Sequence, residues 1–138
     1  MSDASYLFET ELKVRDYEVD LQGIVNNANY LHYLEHTRHE FLYSRNTDFA
    51  ALHEKGIDLI VIRNEIDYKQ SLKSHDHFRV TLNMYREGNL RIVFDQNIYR
   101  LPDHKLVVKA KVFGVCLKNG KPVRPEDVLD LKQLGVGT

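Results

Sequence analysis

Apolar and polar positions alternate with a period of two over residues 6–15. One face of this segment carries Phe8, Thr10, Leu12 and Val14, and charged residues occupy the positions between them. A two-residue period is that of a half-buried β-strand. The pattern therefore predicts a first strand at the start of the chain.

The period changes to that of a helix from about residue 27 to residue 45. At 100° per residue, one arc of this segment gathers Tyr30, Leu31, Leu34, Phe41 and Leu42. Such a stripe is typical of an amphipathic helix. The side chain of Asn26 or Asn27 can cap its first turn. The sequence predicts that this is the one long helix of the protein.

After a short helical turn around residues 49–55, the pattern returns to that of strands. The predicted strands cover residues 57–68, 78–85, 90–98 and 106–113, and the turn sequences SLKSHD, REGN, LPDH and KNGKP follow them. Pro125 opens a short C-terminal helix that Gly135 can close.

This order of elements predicts an α+β fold. One strand, one long helix and four further strands joined by tight turns make a five-stranded antiparallel sheet with an apolar face to cover. A single helix with one apolar stripe is available to cover that face, so we expect the sheet to wrap around the helix. With no linker and no repeats, residues 1–138 are expected to form a single domain.

Composition narrows the choice of partner and compartment. Nineteen Lys and Arg nearly balance twenty Asp and Glu, and no basic run interleaves with aromatic residues, so nucleic acid is not expected as a partner. Cys116 is the only cysteine, which excludes an intrachain disulfide and suits a reducing compartment. The first residues lack the pattern of a signal peptide, and charges break every apolar run. We therefore expect a cytoplasmic protein without membrane insertion.

One segment of the sequence contains the candidate catalytic residues. Residues 15–38 read RDYEVDLQGIVNNANYLHYLEHTR, in which Asp20 precedes Gly23, an apolar pair, and an Asn-Tyr pair inside the first helical turn. This segment resembles the signature of hotdog-fold acyl-CoA thioesterases of the 4-hydroxybenzoyl-CoA thioesterase type. The resemblance implies a five-stranded antiparallel sheet around a central helix, the same organisation that the hydrophobic pattern predicts. It also implies an acyl-CoA substrate and no cofactor or metal.

The resemblance assigns roles to residues of this segment. Asp20 matches the catalytic carboxylate of the family, and the backbone amide of Asn27 matches a donor to the thioester carbonyl oxygen. These roles suit thioester hydrolysis, which needs a base or nucleophile beside the carbonyl carbon and donors beside its oxygen. Gly23 would allow a positive φ or a close approach of the acyl group. Tyr17 and Tyr30 would flank the pocket.

Several points stay open at this level. Asp20 could attack the thioester and form a mixed anhydride, or act as general base on water; we favour the base. Many relatives carry Asp where Glu18 stands, and others carry His at the positions of Ile24 or Asn27. These departures put in doubt any water-positioning loop histidine and an assignment to the Tol-Pal-linked branch. The competing functions are a non-catalytic acyl or acyl-CoA-binding hotdog module and a hotdog hydratase or dehydratase.

The family resemblance also suggests binding and assembly. Coenzyme A phosphates are expected near Arg86, Asn89 and Arg91, at the turn between the third and fourth strands. Family members form dimers whose sheets join edge to edge, often paired further into tetramers. An exposed edge strand supplies a physical motive for such pairing.

A second motif in the helix resembles a metal site. His32, Glu35 and His36 spell H-x-x-E-H, which matches a zinc protease signature. Together with His39, these histidines share the helical face opposite the apolar stripe. We interpret them as surface or groove-edge residues and expect no metal. Cys116 lies in an apolar strand pattern and is interpreted as a core residue.

Overall fold

A computed structural model describes residues 6–136 of the chain. The helices are α1 (Asn27–Ser44), α2 (Phe49–Glu54) and α3 (Leu131–Leu134), with 3-10 turns at Asp16–Glu18 and Pro125–Asp127. The strands are β1 (Phe8–Lys13), β2 (Ile57–Tyr68), β3 (His77–Glu87), β4 (Arg91–Leu101), β5 (Lys105–Lys118) and β6 (Lys121–Val123). The predicted long helix and five strands are all present, and β6 adds a short sixth strand beside β5.

The sheet is antiparallel throughout, in the order β1-β3-β4-β5-β2. Tight hairpins join β3 to β4 and β4 to β5, as the turn sequences predict. The crossover through α1 places β1 at one edge of the sheet and β2 at the other. Residues of β2 remain partly exposed, including the apolar run Ile60, Val61 and Ile62.

Helix α1 lies against the concave face of the sheet and divides the core into two clusters. Near its start, Tyr30, Tyr33 and Leu34 pack with residues such as Phe78 and Ile98. Toward its end, the core continues with a second set of residues, which includes Phe41, Leu42, Leu82, Phe94, Cys116 and Leu134. The helix start and helix end therefore face opposite ends of the sheet.

The buried stripe of α1 differs from the predicted one at three positions. Leu31 is exposed, whereas Tyr33 and Thr37 are buried in its place. The Thr37 hydroxyl donates to the Tyr33 carbonyl at 2.9 Å, and the Tyr33 hydroxyl donates to the carboxylate of Glu18 at 2.8 Å. Because these polar atoms find partners, the two side chains can be buried at positions that a hydrophobicity pattern reads as polar.

The C-terminal segment begins at Pro125 as predicted, but its first turn is 3-10 and the α-helical turn follows later. Gly135 ends α3 in the left-handed conformation, at φ 81°, as predicted. No helix in the described part of the chain is both long and apolar enough to cross a membrane.

Candidate active site

A tight loop carries Asp20 toward the start of α1. The Asp20 N–H donates to the Ile24 carbonyl at 2.8 Å, and the Gly23 N–H donates to the Asp20 carbonyl at 2.9 Å. Gly23 has φ +80°, and a Cβ added there would meet nothing within 4 Å. The glycine is therefore required by its backbone conformation, and the space beside it is open.

The Asp20 carboxylate is half-buried and oriented by the loop itself. Its Oδ1 accepts hydrogen bonds from the N–H of Gln22 at 2.9 Å and from the N–H of Ile24 at 3.4 Å. Aspartate commonly bonds the backbone two residues on in such a turn. The backbone contacts fix Oδ1, and the side-chain nitrogen of Gln22 can donate to Oδ2 at 3.1 Å.

The start of α1 supplies free backbone donors. Asn26 is the N-cap, and its Oδ1 accepts the N–H of Asn29 at 3.2 Å. Among the described residues, none accepts a hydrogen bond from the N–H of Asn27 or Ala28. The first turn carries no acidic side chain, so the positive end of the helix dipole is not neutralised locally. Two amides and a positive potential at this point suit an oxygen that gains negative charge.

An open groove begins beside Ala28 and follows α1 along the edge strand β2. One part, of about 310 Å³, is lined by Ala28, Leu31, His32, Glu35, Arg38, Val61 and Asn64. The second, of about 280 Å³, is lined by Glu35, Arg38, His39, Phe49, Leu59, Val61, Phe94 and Gly114. The shared residues Glu35, Arg38 and Val61 make the two parts neighbours. From Ala28 to His39 the helix rises about 16 Å, which gives the length of the groove.

Arg38 and Gln96 form a polar pair where the two parts of the groove meet, in which Gln96 is buried and Arg38 is partly buried; neither was predicted as a site residue. Arg38 Nη1 donates to Gln96 Oε1 at 3.0 Å, and Gln96 Nε2 donates to the Leu34 carbonyl at 3.0 Å. Burial lowers the pKa of the Arg38 guanidinium to about 10, an effect that the nearby Glu35 carboxylate partly opposes. The signal in the sequence is a lone glutamine in β4 at a position that faces the core.

The two tyrosines of the predicted site lie in different surroundings. Tyr17 is 75% exposed, and its hydroxyl accepts a hydrogen bond from Arg15 Nη1 at 2.7 Å. Tyr30 is buried, and its hydroxyl accepts the Leu72 N–H at 2.9 Å. Burial also raises the pKa of Tyr30. Of these two rings, only Tyr17 is open to solvent beside the Asp20 loop in a single chain.

The predicted coenzyme A residues lie far from Asp20 within one chain. Tyr33 near the start of α1 contacts Phe78 of β3, with ring centroids 4.6 Å apart. Arg86 follows eight residues further along β3, a distance of about 27 Å. Arg86 pairs with Glu126 at 2.8 Å and also donates to the Asn89 carbonyl. Arg91 pairs with Glu87 at 3.4 Å.

The helix histidines line the groove or face solvent. His32 and His39 border its two parts, and His36 is exposed. Within residues 6–136, no three His, Cys, Asp or Glu side chains are grouped so that they could hold a metal ion. The H-x-x-E-H spacing therefore does not assemble a metal centre in the described chain.

Comparison with known proteins places the chain in a family. A model of the thioesterase-like superfamily matches residues 14–132, and the chain belongs to this superfamily. A hypothetical protein from Aquifex aeolicus, solved by crystallography, superposes with a TM-score of 0.82 at 31% identity, over 92% of this chain and 98% of that one. The predicted hotdog fold and the resemblance to hotdog thioesterases are confirmed.

Two named relatives indicate the chemistry of the family. The chain is 39% identical over 121 residues to the chloroplastic acyl-acyl carrier protein thioesterase ATL3 of Arabidopsis thaliana, over 87% of this chain. It is 28% identical over 109 residues to the long-chain acyl-CoA thioesterase FadM of Escherichia coli, over 79% of this chain and 82% of that protein. The chain spans 64% of the length of ATL3 and 59% of the length of its plant relative ATL2.

Proposed function

We propose that this protein is an acyl-CoA thioesterase that hydrolyses an acyl-CoA to a free acid and coenzyme A. The observation that carries the proposal is the pair of unpartnered amides at Asn27 and Ala28, which follow the Asp20 loop, with Ala28 lining the groove. A thioester carbonyl placed there would meet both donors. The superfamily membership and the names of the relatives support the same reaction.

In the proposed mechanism, the amides bind the carbonyl oxygen and Asp20 activates water. Water adds its hydroxyl to the carbonyl carbon while its proton passes to the Asp20 carboxylate. The oxyanion is stabilised by the N–H groups of Asn27 and Ala28. The carbon–sulfur bond then breaks, and the coenzyme A thiolate takes up the proton. In the alternative, Asp20 attacks the carbon itself and the carbon–sulfur bond breaks to release the coenzyme A thiolate; water then hydrolyses the resulting anhydride, regenerating Asp20 and supplying the proton that the thiolate takes up.

The groove suits the acyl group of the substrate. Ala28 lies at its mouth, where the thioester would sit, and Val61, Leu59 and Phe94 provide apolar wall further along. An extended chain of up to about 16 Å would follow the helix within it. Coenzyme A would remain outside, toward the Asp20 loop and Tyr17.

A homodimer through the β2 edges would complete the site. An antiparallel pairing reverses β2, so the Ile57 end of one strand would meet the Tyr68 end of the other. The β3–β4 hairpin, with Arg86, Asn89 and Arg91, lies at the Ile57 end, since Arg91 pairs with Val115 and Val115 pairs with Ile60. The hairpin of the second copy would therefore approach the helix start of the first, where coenzyme A phosphates need cations. Further pairing into tetramers is proposed by analogy with the family.

Acyl carrier protein is the second candidate for the thiol carrier. Two plant relatives, 39% and 38% identical, are named acyl-acyl carrier protein thioesterases. Both carriers present the acyl group on the same type of thiol arm, so the chemistry at Asp20 would not change. Only the contacts between the carrier and the protein surface around the entrance to the site would differ.

The test measures thiol release from a panel of short, long and aromatic acyl-CoAs and from acyl-acyl carrier proteins, with a chromogenic disulfide. Wild type should release thiol, and Asp20→Asn should lower kcat by a factor of about 10² to 10⁴. Asp16→Asn, which changes an exposed aspartate of the neighbouring turn, serves as control. Absence of thiol release from every substrate would leave a binding module or a hydratase. An unchanged rate in Asp20→Asn would show that Asp20 is the wrong residue.

A further inference from the structure

Glu18 is a buried carboxylate that the proposed reaction does not use. Its side chain is among the few buried charged groups of the chain, 8% exposed as a residue. Oε1 accepts the Tyr33 hydroxyl at 2.8 Å and the Arg15 N–H at 2.8 Å. Oε2 lies 3.8 Å from Arg15 Nε. A buried carboxylate is destabilising unless its oxygens accept such hydrogen bonds. Glu18 receives them from Arg15, just before the 3-10 turn, and from Tyr33 of α1.

The backbone of Glu18 is tied to the same helix. Its carbonyl accepts the side-chain amide of Asn29 at 2.8 Å. Asn29 and Tyr33 are one turn apart on α1, so they present both donors to the loop from the same face. The 3-10 turn that ends at Glu18 is thus held against the first two turns of the helix by two hydrogen bonds.

We propose that Glu18 is a positioning residue of the thioester site, which it serves by locking the Asp20 loop onto the start of α1; this inference rests on the proposed function. The two halves of that site lie on either side of the contact. Asp20 follows Glu18 by two residues, and the amides of Asn27 and Ala28 immediately precede Asn29. The hydrogen bonds between Asp20 and Ile24 and the bridge between Val19 and Val25 already close the loop on itself. The Glu18 contact adds a direct bond from this loop to the first turns of the helix, and so orients the base relative to the oxyanion donors.

Catalytic groups must be placed accurately, which gives a physical reason for burying the charged Glu18 side chain at this contact. A displacement of about 1 Å in a catalytic group can cost about 10²-fold in rate. Apolar packing would hold the turn near the helix without fixing its direction. Directional hydrogen bonds from Tyr33 and Asn29 fix both distance and orientation. Burial and the hydrogen bond to Glu18 raise the pKa of Tyr33, so its hydroxyl remains a donor at neutral pH.

The first test removes one hydrogen bond. Tyr33→Phe deletes the hydroxyl and keeps the ring packed on Phe78. We expect kcat to fall about 10-fold to 100-fold with KM changed by less than about twofold, because the loss lies in positioning. The matched control is Tyr43→Phe on the same helix, whose ring is exposed and which should leave both constants unchanged. A wild-type kcat in Tyr33→Phe would overturn the inference.

Two further variants separate positioning from a general loss of structure. Glu18→Gln keeps an acceptor oxygen for Tyr33 and Arg15 and should restore most of the rate that Glu18→Leu loses. Tyr33→Phe combined with Asp20→Asn should be no slower than Asp20→Asn alone, because no base remains to be positioned. If the two changes multiply, Tyr33 acts independently of Asp20 and the inference is wrong.

Amide hydrogen exchange does not depend on catalysis, so it tests this inference separately from the proposed function. The Gly23 and Ile24 amides are bonded to Asp20, so their hydrogen exchange reports on the loop. Exchange at both should rise at least about 10-fold in Tyr33→Phe and stay unchanged in Tyr43→Phe. Thiol release that fails in wild type rejects the proposed function alone. Exchange that is unaltered in Tyr33→Phe rejects the lock, whatever the activity.

Discussion

Asn26 accepts the N–H of Asn29 at 3.2 Å, and this cap leaves the two amides between them without a partner in the described chain. The Asn26 side chain thereby satisfies the N–H of Asn29 and leaves the N–H groups of Asn27 and Ala28 able to bind another acceptor. The relationship is a product of spacing, since an N-cap bonds the amide two or three residues on and not the intervening ones.

The role of the Asn27 amide can be tested by Asn27→Pro. Proline lacks the N–H but fits the first position of a helix. The preceding Asn26 is extended, at ψ 165°, which is the conformation that a following proline requires. We expect kcat to fall about 10²-fold to 10³-fold in thiol release, as for other oxyanion donors, with an unchanged melting temperature. Asn27→Ala keeps the N–H and is expected to retain the wild-type rate. If Asn27→Ala were as slow as Asn27→Pro, the side chain would be the active group.

Two substitutions at Gly23 test whether the glycine is needed for its backbone conformation or for the open space beside it. Gly23→Ala should lower the free energy of unfolding by about 1–2 kcal/mol, because φ +80° is strained for alanine. Gly23→Asn should cost less, since asparagine visits this region more readily. Urea denaturation measures both. If Gly23→Asn folds well but loses activity, the open space beside Gly23 is needed for the acyl thioester rather than for the turn.

The pair Arg38 and Gln96 is expected to behave as a coupled unit in stability. Gln96→Leu removes the acceptor of a partly buried guanidinium and should lower the free energy of unfolding by about 1–3 kcal/mol. Arg38→Met combined with Gln96→Leu should be less destabilised than Gln96→Leu alone, because no partly buried cation is then left without an acceptor. A double-mutant cycle by urea denaturation measures the coupling. Additive effects would contradict it.

Cys116 should be unreactive in the native protein. Its thiol is buried, and burial raises its pKa to about 11, so the reactive thiolate is scarce near neutral pH. A chromogenic disulfide at about pH 8 should detect almost no thiol in the folded chain. The same reagent should find one thiol per chain after denaturation. Rapid native labelling would show that the second core cluster opens readily; it would also add a background to the thioesterase assay.

The elements of the fold were predictable from local patterns. The two-residue period gave the strands, the helical period gave α1 to within one residue of its end, and Gly135 marked the end of the last helix. These features are readable because a strand or helix must bury one face and because caps and turns depend on nearby residues. The Asp20 segment was recognisable for the same reason, since all of its parts lie within one short stretch.

Other features depended on contacts between distant residues. The burial of Tyr33 in place of Leu31 required Glu18 to lie across from it, and the buried Gln96 required Arg38, 58 positions away in the chain. A polar side chain enters a core only when its partner is there, and no local pattern shows where that partner will lie. The sequence by itself determined the strands, the helix and the candidate base. Only the tertiary structure decided that a groove along β2 begins beside Ala28 and that Glu18 joins the loop to the helix, because both are set by how separate segments pack together.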